Sequence, residues 1–231
     1  FSPGRNWEQI RTTIAYNNQP VKIIGSHSGV SVGPDGGTHQ ATEDIAITRV
    51  IPRMVVICPC DAIEARKATM AAAKTDTPVY IRLTREKSPV ITTDETPFEI
   101  GKAQTFFEPK DKKTELHAGI VAMGALIHKA LVAAHELEKE GINVKVINLA
   151  TIKPLDEKAL IQLAKETGAI VTVEEHQIRG GMGSAVAECL AKNGPVPMEF
   201  VGVDDVFGQS GTSEELLTHY GMSTDHINRK S

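Results

Sequence analysis

The sequence predicts an α/β protein with two successive units, the first of them built on a parallel sheet. Short apolar strand patterns alternate with helical patterns, and a proline-containing, charged stretch interrupts this alternation near the middle of the chain. The 231 residues, 41% hydrophobic and 23% charged, suit a globular protein large enough for two cores. We therefore predict a first unit over 1–97, a connector over 98–115 and a second unit over 116–231.

The first unit begins with a helical pattern, because Trp7, Ile10 and Ile14 recur at helical spacing. Asp61 is placed to cap the helix that follows it. The strand and helix patterns alternate so that a parallel sheet with right-handed crossovers is expected. The predicted helices are 7–16, 42–50 and 62–75, and the predicted strands are 21–24, 54–57 and 79–83.

The second unit repeats the alternation after a connector that contains Pro109 and the charged run 110–113. Asp156 is a helix cap, and Thr212 with Glu215 has capping-box spacing. The predicted strands are 117–123, 144–148, 170–174 and 198–201, and the predicted helices are 125–140, 156–167, 183–192 and 212–220.

Composition excludes several classes of function. The net charge is −4 and no basic run is present, which argues against a nucleic-acid partner. No apolar stretch approaches the ~20 residues needed to cross a bilayer. The three cysteines form no disulfide framework, so reduced thiols and a cytoplasmic location are expected. Because the chain begins with Phe1, we expect it to be part of a longer protein.

The most informative segment is the glycine loop, residues 25–40, which follows the first predicted strand. Four glycines and a proline lie between its two histidines, and glycine lets a chain pass close to a ligand. The loop carries His27, Asp35 and His39, which can bind hydroxyl or phosphate oxygens or transfer protons. Ligands of open α/β sheets bind beyond the carboxyl ends of the strands, so we predict a ligand site here.

Residues 26–41 read S-H-S-G-V-S-V-G-P-D-G-G-T-H-Q-A, which resembles T-H-D-S-x-G-x-G-E-D-G-P-T-H-Q-P in transketolases. Further segments resemble the same family in order along essentially the whole chain: 51–62, 78–85, 171–184 and 202–211. The chain is therefore identified as a member of the transketolase family. The resemblance implies part of the pyrimidine-binding (Pyr) domain followed by a smaller α/β transketolase C-terminal domain.

The resemblance also implies roles for individual residues. His39 and Asp35 match catalytic positions, the histidine close to the reacting carbons and the aspartate accepting a hydrogen bond from a substrate hydroxyl. His27 and Arg85 match positions that bind the substrate phosphate, and Phe1 matches an aromatic residue that stacks on the cofactor. The loop departs from the family pattern in ways that leave the substrate preference open: Ser28, Pro34, Gly37 and Ala41.

Family membership implies thiamine diphosphate with Mg²⁺ as cofactors, and transfer of a two-carbon ketol unit between sugar phosphates, as in the pentose phosphate pathway. The chain contains no G-D-G and Asn motif for Mg²⁺, and the family's glutamate motif, which makes the ylid, would lie upstream of Phe1. We therefore expect no metal ligands in this chain and a partner that supplies the N-terminal, diphosphate-binding part. The resemblance further implies a homo-oligomer through the Pyr and C-terminal domains.

Other functions remain open from the sequence. 1-Deoxy-D-xylulose-5-phosphate synthase shares G-x-D-G-P-T-H and a G-G-x-G-S segment, but usually has no histidine at the position of His27. Dehydrogenase E1 β-subunits lack the D-G-x-T-H string. An inactive structural or interaction fragment of the same fold is the non-enzymatic alternative.

Overall fold

The computed structural model describes residues 1–111 and 114–231, and their strands form two sheets. The strands are β1 (Lys22–Gly25), β2 (Val55–Ile57), β3 (Val79–Arg82), β4 (Gln104–Phe107), β5 (Ala118–Ala122), β6 (Val144–Asn148), β7 (Thr151–Lys153), β8 (Ile170–Gln177) and β9 (Met198–Val203). The helices are α1 (Trp7–Gln9), α2 (Asp44–Arg49), α3 (Ala62–Ala73), α4 (Leu126–Lys139), α5 (Glu157–Thr167), α6 (Met182–Asn193), α7 (Ser213–His219) and α8 (Thr224–Lys230).

The first sheet has the strand order β1-β3-β2-β7. Its first three strands are parallel, with Gly25 opposite Arg82 at the carboxyl ends of β1 and β3. Ile57 and Ile81 of this sheet pack with Ala68 of α3 in one buried cluster. The predicted parallel sheet of the first unit is therefore confirmed, and its carboxyl edge brings the loops after β1 and β3 side by side.

The second sheet has the order β4-β6-β5-β8-β9, and only the pairing of β4 with β6 is antiparallel. Its central strand β5 is buried along its whole length. Helix α4 packs on it through Ile127, Ala130 and Ala134, which are fully buried. This sheet gives the second unit a core of its own.

The predicted helix starts fit the structure closely. The Asp61 carboxylate accepts a hydrogen bond from the Glu64 N–H at 2.8 Å, and Asp156 accepts one from Ala159 at 3.2 Å. Thr212 and Glu215 form the reciprocal capping box. Each cap satisfies backbone donors that a helix leaves free in its first turn.

Some elements differ from the prediction. The first helix is α-helical only over Trp7–Gln9 and continues as a π-helix over Ile10–Tyr16, and β8 continues to Gln177. Strand β4 lies in the predicted connector and agrees with the expectation of at most short strands there. Helix α8 and strand β7, which pairs antiparallel with β2 of the first unit, were not predicted. Strand β7 has three residues, too few for a periodic pattern. The unit boundaries at 97 and 116 stay a prediction.

Three further expectations concern the rest of the chain. Cys58, Cys60 and Cys189 are buried and unpaired, and burial raises the pKa of Cys58 to about 12. No helix in the described residues is both long and apolar enough to cross a membrane. In the predicted connector, Lys112 and Lys113 lie outside the described residues.

Candidate active site

The glycine loop lies at the carboxyl edge of the first sheet, as the sequence predicted. His27 is two residues beyond β1, and Arg85 is three residues beyond β3, the neighbouring parallel strand. The Gly29 N–H donates to the Ala41 carbonyl at 2.7 Å and closes the base of the loop. His27 and Arg85 therefore lie at the edge where open α/β sheets bind ligands.

Inside the loop, Val30–Asp35 forms tight helical turns interrupted at Gly33. Gly29, Gly33 and Gly36 have φ angles of 80°, 80° and 77°. This left-handed region strains residues that carry a Cβ, so the backbone itself requires glycine at these positions. The turns hold Asp35 at the exposed tip of the loop.

The structure pairs Asp35 with Arg85. The Arg85 guanidinium lies 3.3 Å from Asp35 Oδ1 and donates to the Val32 carbonyl at 2.7 Å. The side chains of Arg85 and Asp35 are 33% and 40% exposed, so solvent screens their attraction. A hydroxyl or phosphate ligand can therefore compete for either partner at modest cost.

His39 lies beside Phe1. Their ring centroids are 5.0 Å apart in an edge-to-face arrangement, and the Arg5 guanidinium lies 4.1 Å from the Phe1 centroid. Both rings line a cleft of about 560 Å³ that continues along Gly37 and Thr38 to the loop containing Phe207. The cleft thus combines an exposed aromatic ring with an imidazole.

The five predicted site residues fall into separate groups. Phe1 and His39 share the cleft, whereas Asp35 and Arg85 form an ion pair outside its lining. His27 is exposed, and its Nδ1 lies 3.0 Å from the Ser26 hydroxyl. In the described part of the chain, no hydrogen bond joins His27 to Arg85, so their convergence on one phosphate stays a prediction.

A buried ion pair behind the loop was not predicted as part of the site. Arg82 Nε donates to Asp44 Oδ2 at 2.8 Å, and the Tyr80 hydroxyl donates to the same oxygen at 2.7 Å. The side chains of Arg82 and Asp44 are 2% and 1% exposed. Burial acts to raise the pKa of the Asp44 carboxyl, but the charge of Arg82 and these hydrogen bonds outweigh it and hold the pKa below its ordinary value.

Two successive carboxylates on β8 lie near this pair. Glu174 accepts hydrogen bonds from the Met182 and Gly183 N–H groups at 2.7 and 2.8 Å, at the start of α6. Glu175 accepts one from the Ser31 N–H at 2.6 Å, within the glycine loop. Burial raises the pKa of both carboxyls. The chain's own Glu174 thus occupies the α6 N-terminus, consistent with a packing role for the glycines before it.

Only weak signals in the sequence pointed to these residues. In the sequence, Asp44 is an acidic residue suited to the first turn of a predicted helix. Arg82 lies three residues before Arg85, so in a continued strand the two side chains would point to opposite faces. Glu175 contacts a residue 144 positions away, a separation that no local pattern reveals. No group of three or more His, Cys, Asp or Glu side chains in the described residues is arranged to hold a metal ion.

The fold and the loop define an α/β protein with a candidate ligand site at the carboxyl edge of its first sheet. Comparison with protein-family models matches the transketolase pyrimidine binding domain over residues 1–90 and the transketolase C-terminal domain over residues 110–227. The chain belongs to the transketolase family. This family depends on thiamine diphosphate.

Curated relatives include subunits of transketolases that are named for unusual sugars. A 6-deoxy-6-sulfo-D-fructose transketolase subunit from Clostridium sp. (strain MSTE9) is 40% identical over 229 residues, which cover 99% of this chain and 69% of the relative. An apulose-4-phosphate transketolase subunit from Phocaeicola vulgatus is 37% identical over 228 residues, covering 98% of this chain and 71% of the relative.

Solved structures give the same family. A split-gene transketolase, described as an inactive β4 tetramer, matches with a TM-score of 0.90 and 41% identity, covering all of this chain and 72% of the other. A transketolase from Campylobacter jejuni matches with a TM-score of 0.72 and 25% identity, over 90% of this chain and 30% of the other. The chain is thus similar to C-terminal subunits of split transketolases.

Proposed function

We propose that this chain is the C-terminal part of a transketolase that transfers two-carbon ketol units between sugar phosphates. The observation that carries the proposal is that the loop bearing His27, Asp35 and His39 follows β1 at the carboxyl edge of the first sheet, with Arg85 beyond the neighbouring strand β3, in a chain similar to split transketolase subunits. A hydroxyl-rich, phosphorylated substrate matches that set of groups, because carboxylates accept from hydroxyls and cations bind phosphate.

Each group has a distinct proposed task. His39, which lines the cleft, donates protons to and accepts protons from substrate hydroxyls near the reacting carbons. Asp35 accepts a hydrogen bond from a substrate hydroxyl. Arg85 binds the phosphate, since its planar guanidinium fits two phosphate oxygens, and His27 binds it from the neighbouring strand end.

The Asp35–Arg85 ion pair supports this division of tasks. Without a ligand the two charges lie 3.3 Å apart and balance each other. A substrate that carries a hydroxyl and a phosphate supplies a donor for Asp35 and an acceptor for Arg85. The ion pair therefore keeps both side chains in place before substrate binds, and exchanging each partner for a substrate group costs little electrostatic free energy.

The cleft residues fit one ring of thiamine diphosphate. Phe1 is 62% exposed, and its ring lies beside His39 in the cleft, where a flat heteroaromatic ring could stack on it. When bound, the cofactor supplies the electron sink for breaking and making the carbon–carbon bond. Because the described residues offer no metal cluster, we propose that the N-terminal subunit or domain binds Mg²⁺ and the diphosphate.

The rim of the same cleft supports an interaction with another chain. Phe207 is 93% exposed and Val206 is 48% exposed, and both line the cleft with Phe1. Exposed aromatic side chains grouped in this way are typical of interfaces. We propose that this rim contacts the diphosphate-binding subunit or a second copy of this chain, which closes the cleft.

Sugar phosphates of the pentose phosphate pathway are the substrates we propose to test first. The two relatives above are named for other sugars, 6-deoxy-6-sulfo-D-fructose and apulose 4-phosphate. The loop departures at Ser28 and Pro34 lie beside the proposed binding groups, so the donor preference is a property of this loop.

Reconstitution tests the proposal. The protein that contains this chain, assembled with a diphosphate-binding transketolase subunit, thiamine diphosphate and Mg²⁺, should transfer a ketol unit from xylulose 5-phosphate to ribose 5-phosphate. The 231-residue chain alone should show no transfer and no micromolar cofactor binding by calorimetry. Tight cofactor binding by the chain alone, or an assembled enzyme that instead condenses pyruvate with glyceraldehyde 3-phosphate, would contradict the proposal.

A further inference from the structure

The second unit lies directly against the back of the glycine loop. A methyl group built onto any of the four glycines between His27 and His39 of the loop would contact atoms of the second unit. At Gly29 it overlaps the Glu175 carboxylate, at Gly36 it comes within 2.7 Å of Ser210 Oγ, and at Gly37 it comes within 2.5 Å of the Gly208 carbonyl. At Gly33 the Gly211 carbonyl is 3.2 Å away. The sequence suggested that these glycines let the backbone pass close to a ligand. In the structure they let the backbone pass close to the second unit.

Hydrogen bonds hold the loop in this position. The Glu175 carboxylate accepts from the Ser31 N–H at 2.6 Å, and the Ser213 hydroxyl donates to the Ser31 carbonyl at 2.5 Å. Gln40 Nε2 donates to the Gln209 carbonyl at 3.0 Å. The backbone of Ser31 is therefore fixed on both sides by groups of the second unit.

Ser31 lies near the start of the turns that carry the proposed substrate groups. Ser31 lies in the helical turns Val30–Asp35, whose last residue is Asp35. The Val32 carbonyl in the same turns accepts from Arg85 at 2.7 Å. A shift of Ser31 therefore changes the places of both Asp35 and Arg85.

We infer that contacts from the second unit set the conformation of the glycine loop, and that Glu175 is the main residue that positions this loop. The expected effect on enzyme kinetics rests on the proposed function, whereas the expected effect on loop conformation does not. Glu175 is 4% exposed and lies remote from the loop in sequence. It acts on the substrate through Ser31 and the turns that follow.

Glu174 provides a matched control. It precedes Glu175 on β8, is equally buried, and binds two backbone N–H groups, but both belong to α6 of the second unit. Removing Glu175 leaves one buried backbone N–H without its acceptor, and removing Glu174 leaves two. Both substitutions therefore lower the free energy of unfolding for the same physical reason. Of the two, Glu175 is the one that connects to the glycine loop.

Hydrogen–deuterium exchange on the full chain tests the geometry without any need for activity. In Glu175→Ala the amides of residues 30–36, except Pro34, which has no N–H, should exchange about tenfold faster, because the turns open locally. Glu175→Gln, which keeps an acceptor for the Ser31 N–H, should restore most of the protection, and Glu174→Ala should leave these amides unchanged. Unchanged exchange in Glu175→Ala, or equal loss in both alanine variants, would overturn the inference.

Kinetics of the assembled enzyme give the second test. Ser213→Ala removes only the hydroxyl that binds the Ser31 carbonyl, so it keeps the test open should Glu175→Ala fail to fold. We expect each variant to raise KM for a phosphorylated donor about tenfold, with cofactor affinity unchanged. A fall in kcat and cofactor affinity together would mean a general structural role and would overturn the inference. An inactive wild-type assembly would count against the proposed function, while the exchange results would still decide the loop inference.

Discussion

Arg85 is the residue whose surroundings explain its proposed selectivity most directly. Its guanidinium is positioned by the Val32 carbonyl and by Asp35, and it remains one-third exposed toward solvent. A group held in this way can bind a phosphate without first being ordered, which reduces the entropic cost of binding.

The Arg85→Ala substitution should therefore separate phosphate binding from chemistry. In the assembled enzyme we expect KM for xylulose 5-phosphate to rise about tenfold to 100-fold, since hydrogen bonds to charged groups contribute about 1.5–3 kcal/mol. Hydroxypyruvate carries no phosphate, so steady-state kinetics with this donor should change little. Equal losses with both donors would show that Arg85 only supports the loop.

At the residue scale the sequence predicted the glycine loop and its polar side chains, because they lie together in one short segment. It could not predict that Asp35 would pair with Arg85, fifty positions away. The same limit hid Glu175, whose importance depends on packing between units and not on any local pattern. Residues that contact a ligand tend to cluster in loops, whereas residues that position those loops are scattered.

At the element scale, α2 is joined to β3 by the buried pair of Asp44 and Arg82. Arg82 Nη2 also donates to the Glu175 carbonyl of β8 at 2.7 Å, so one guanidinium connects three elements. A buried cation without its counter-ion is strongly unfavourable, which makes this connection sensitive to the charge of Asp44.

The Asp44→Asn substitution should lower the free energy of unfolding by about 3–5 kcal/mol at pH 7, because it removes the carboxylate that pairs directly with the buried Arg82. The lowered pKa of Asp44 contributes stability that is present above its ordinary value of 3.8 and is lost as pH falls through the folded-state pKa. The difference in free energy of unfolding between wild type and Asp44→Asn, measured with urea, should therefore become smaller below about pH 4.

Asp94→Asn is the control for that experiment. Asp94 pairs with Arg66 on the surface, where the two side chains are 74% and 62% exposed, so its loss should change stability little at any pH. A constant gap between wild type and Asp44→Asn from about pH 6 down to pH 3 would contradict the role given to the buried ion pair.

Elements with strong local signals were predicted well, whereas β7 and α8 were not predicted. The helix caps at Asp61, Asp156 and Thr212 are visible in sequence because the cap and its partners lie within one turn. Strand β7 forms only because β2 offers it a free edge, and the π-helical turns over Ile10–Tyr16 follow no periodicity distinct from an α-helix. Tertiary context decided both.

At the scale of the whole molecule, the two units act together at one edge of the first sheet. The first unit supplies the loop, and the second unit supplies the Glu175 contact and the rim containing Phe207. The family resemblance predicted the order of the units and their fold. It did not predict how closely the second unit packs behind the loop, because close packing depends on the side chains of both units.

The His39→Ala substitution in the assembled enzyme tests the central claim most directly, because His39 is the proposed catalytic group in the cleft beside Phe1. The matched control is His128→Ala, on the partly buried side of α4 away from the cleft lining. We expect His39→Ala to lower kcat for ketol transfer about 100-fold while thiamine diphosphate affinity stays within about threefold. Turnover close to wild type in His39→Ala, or an equal loss in His128→Ala, would contradict the account.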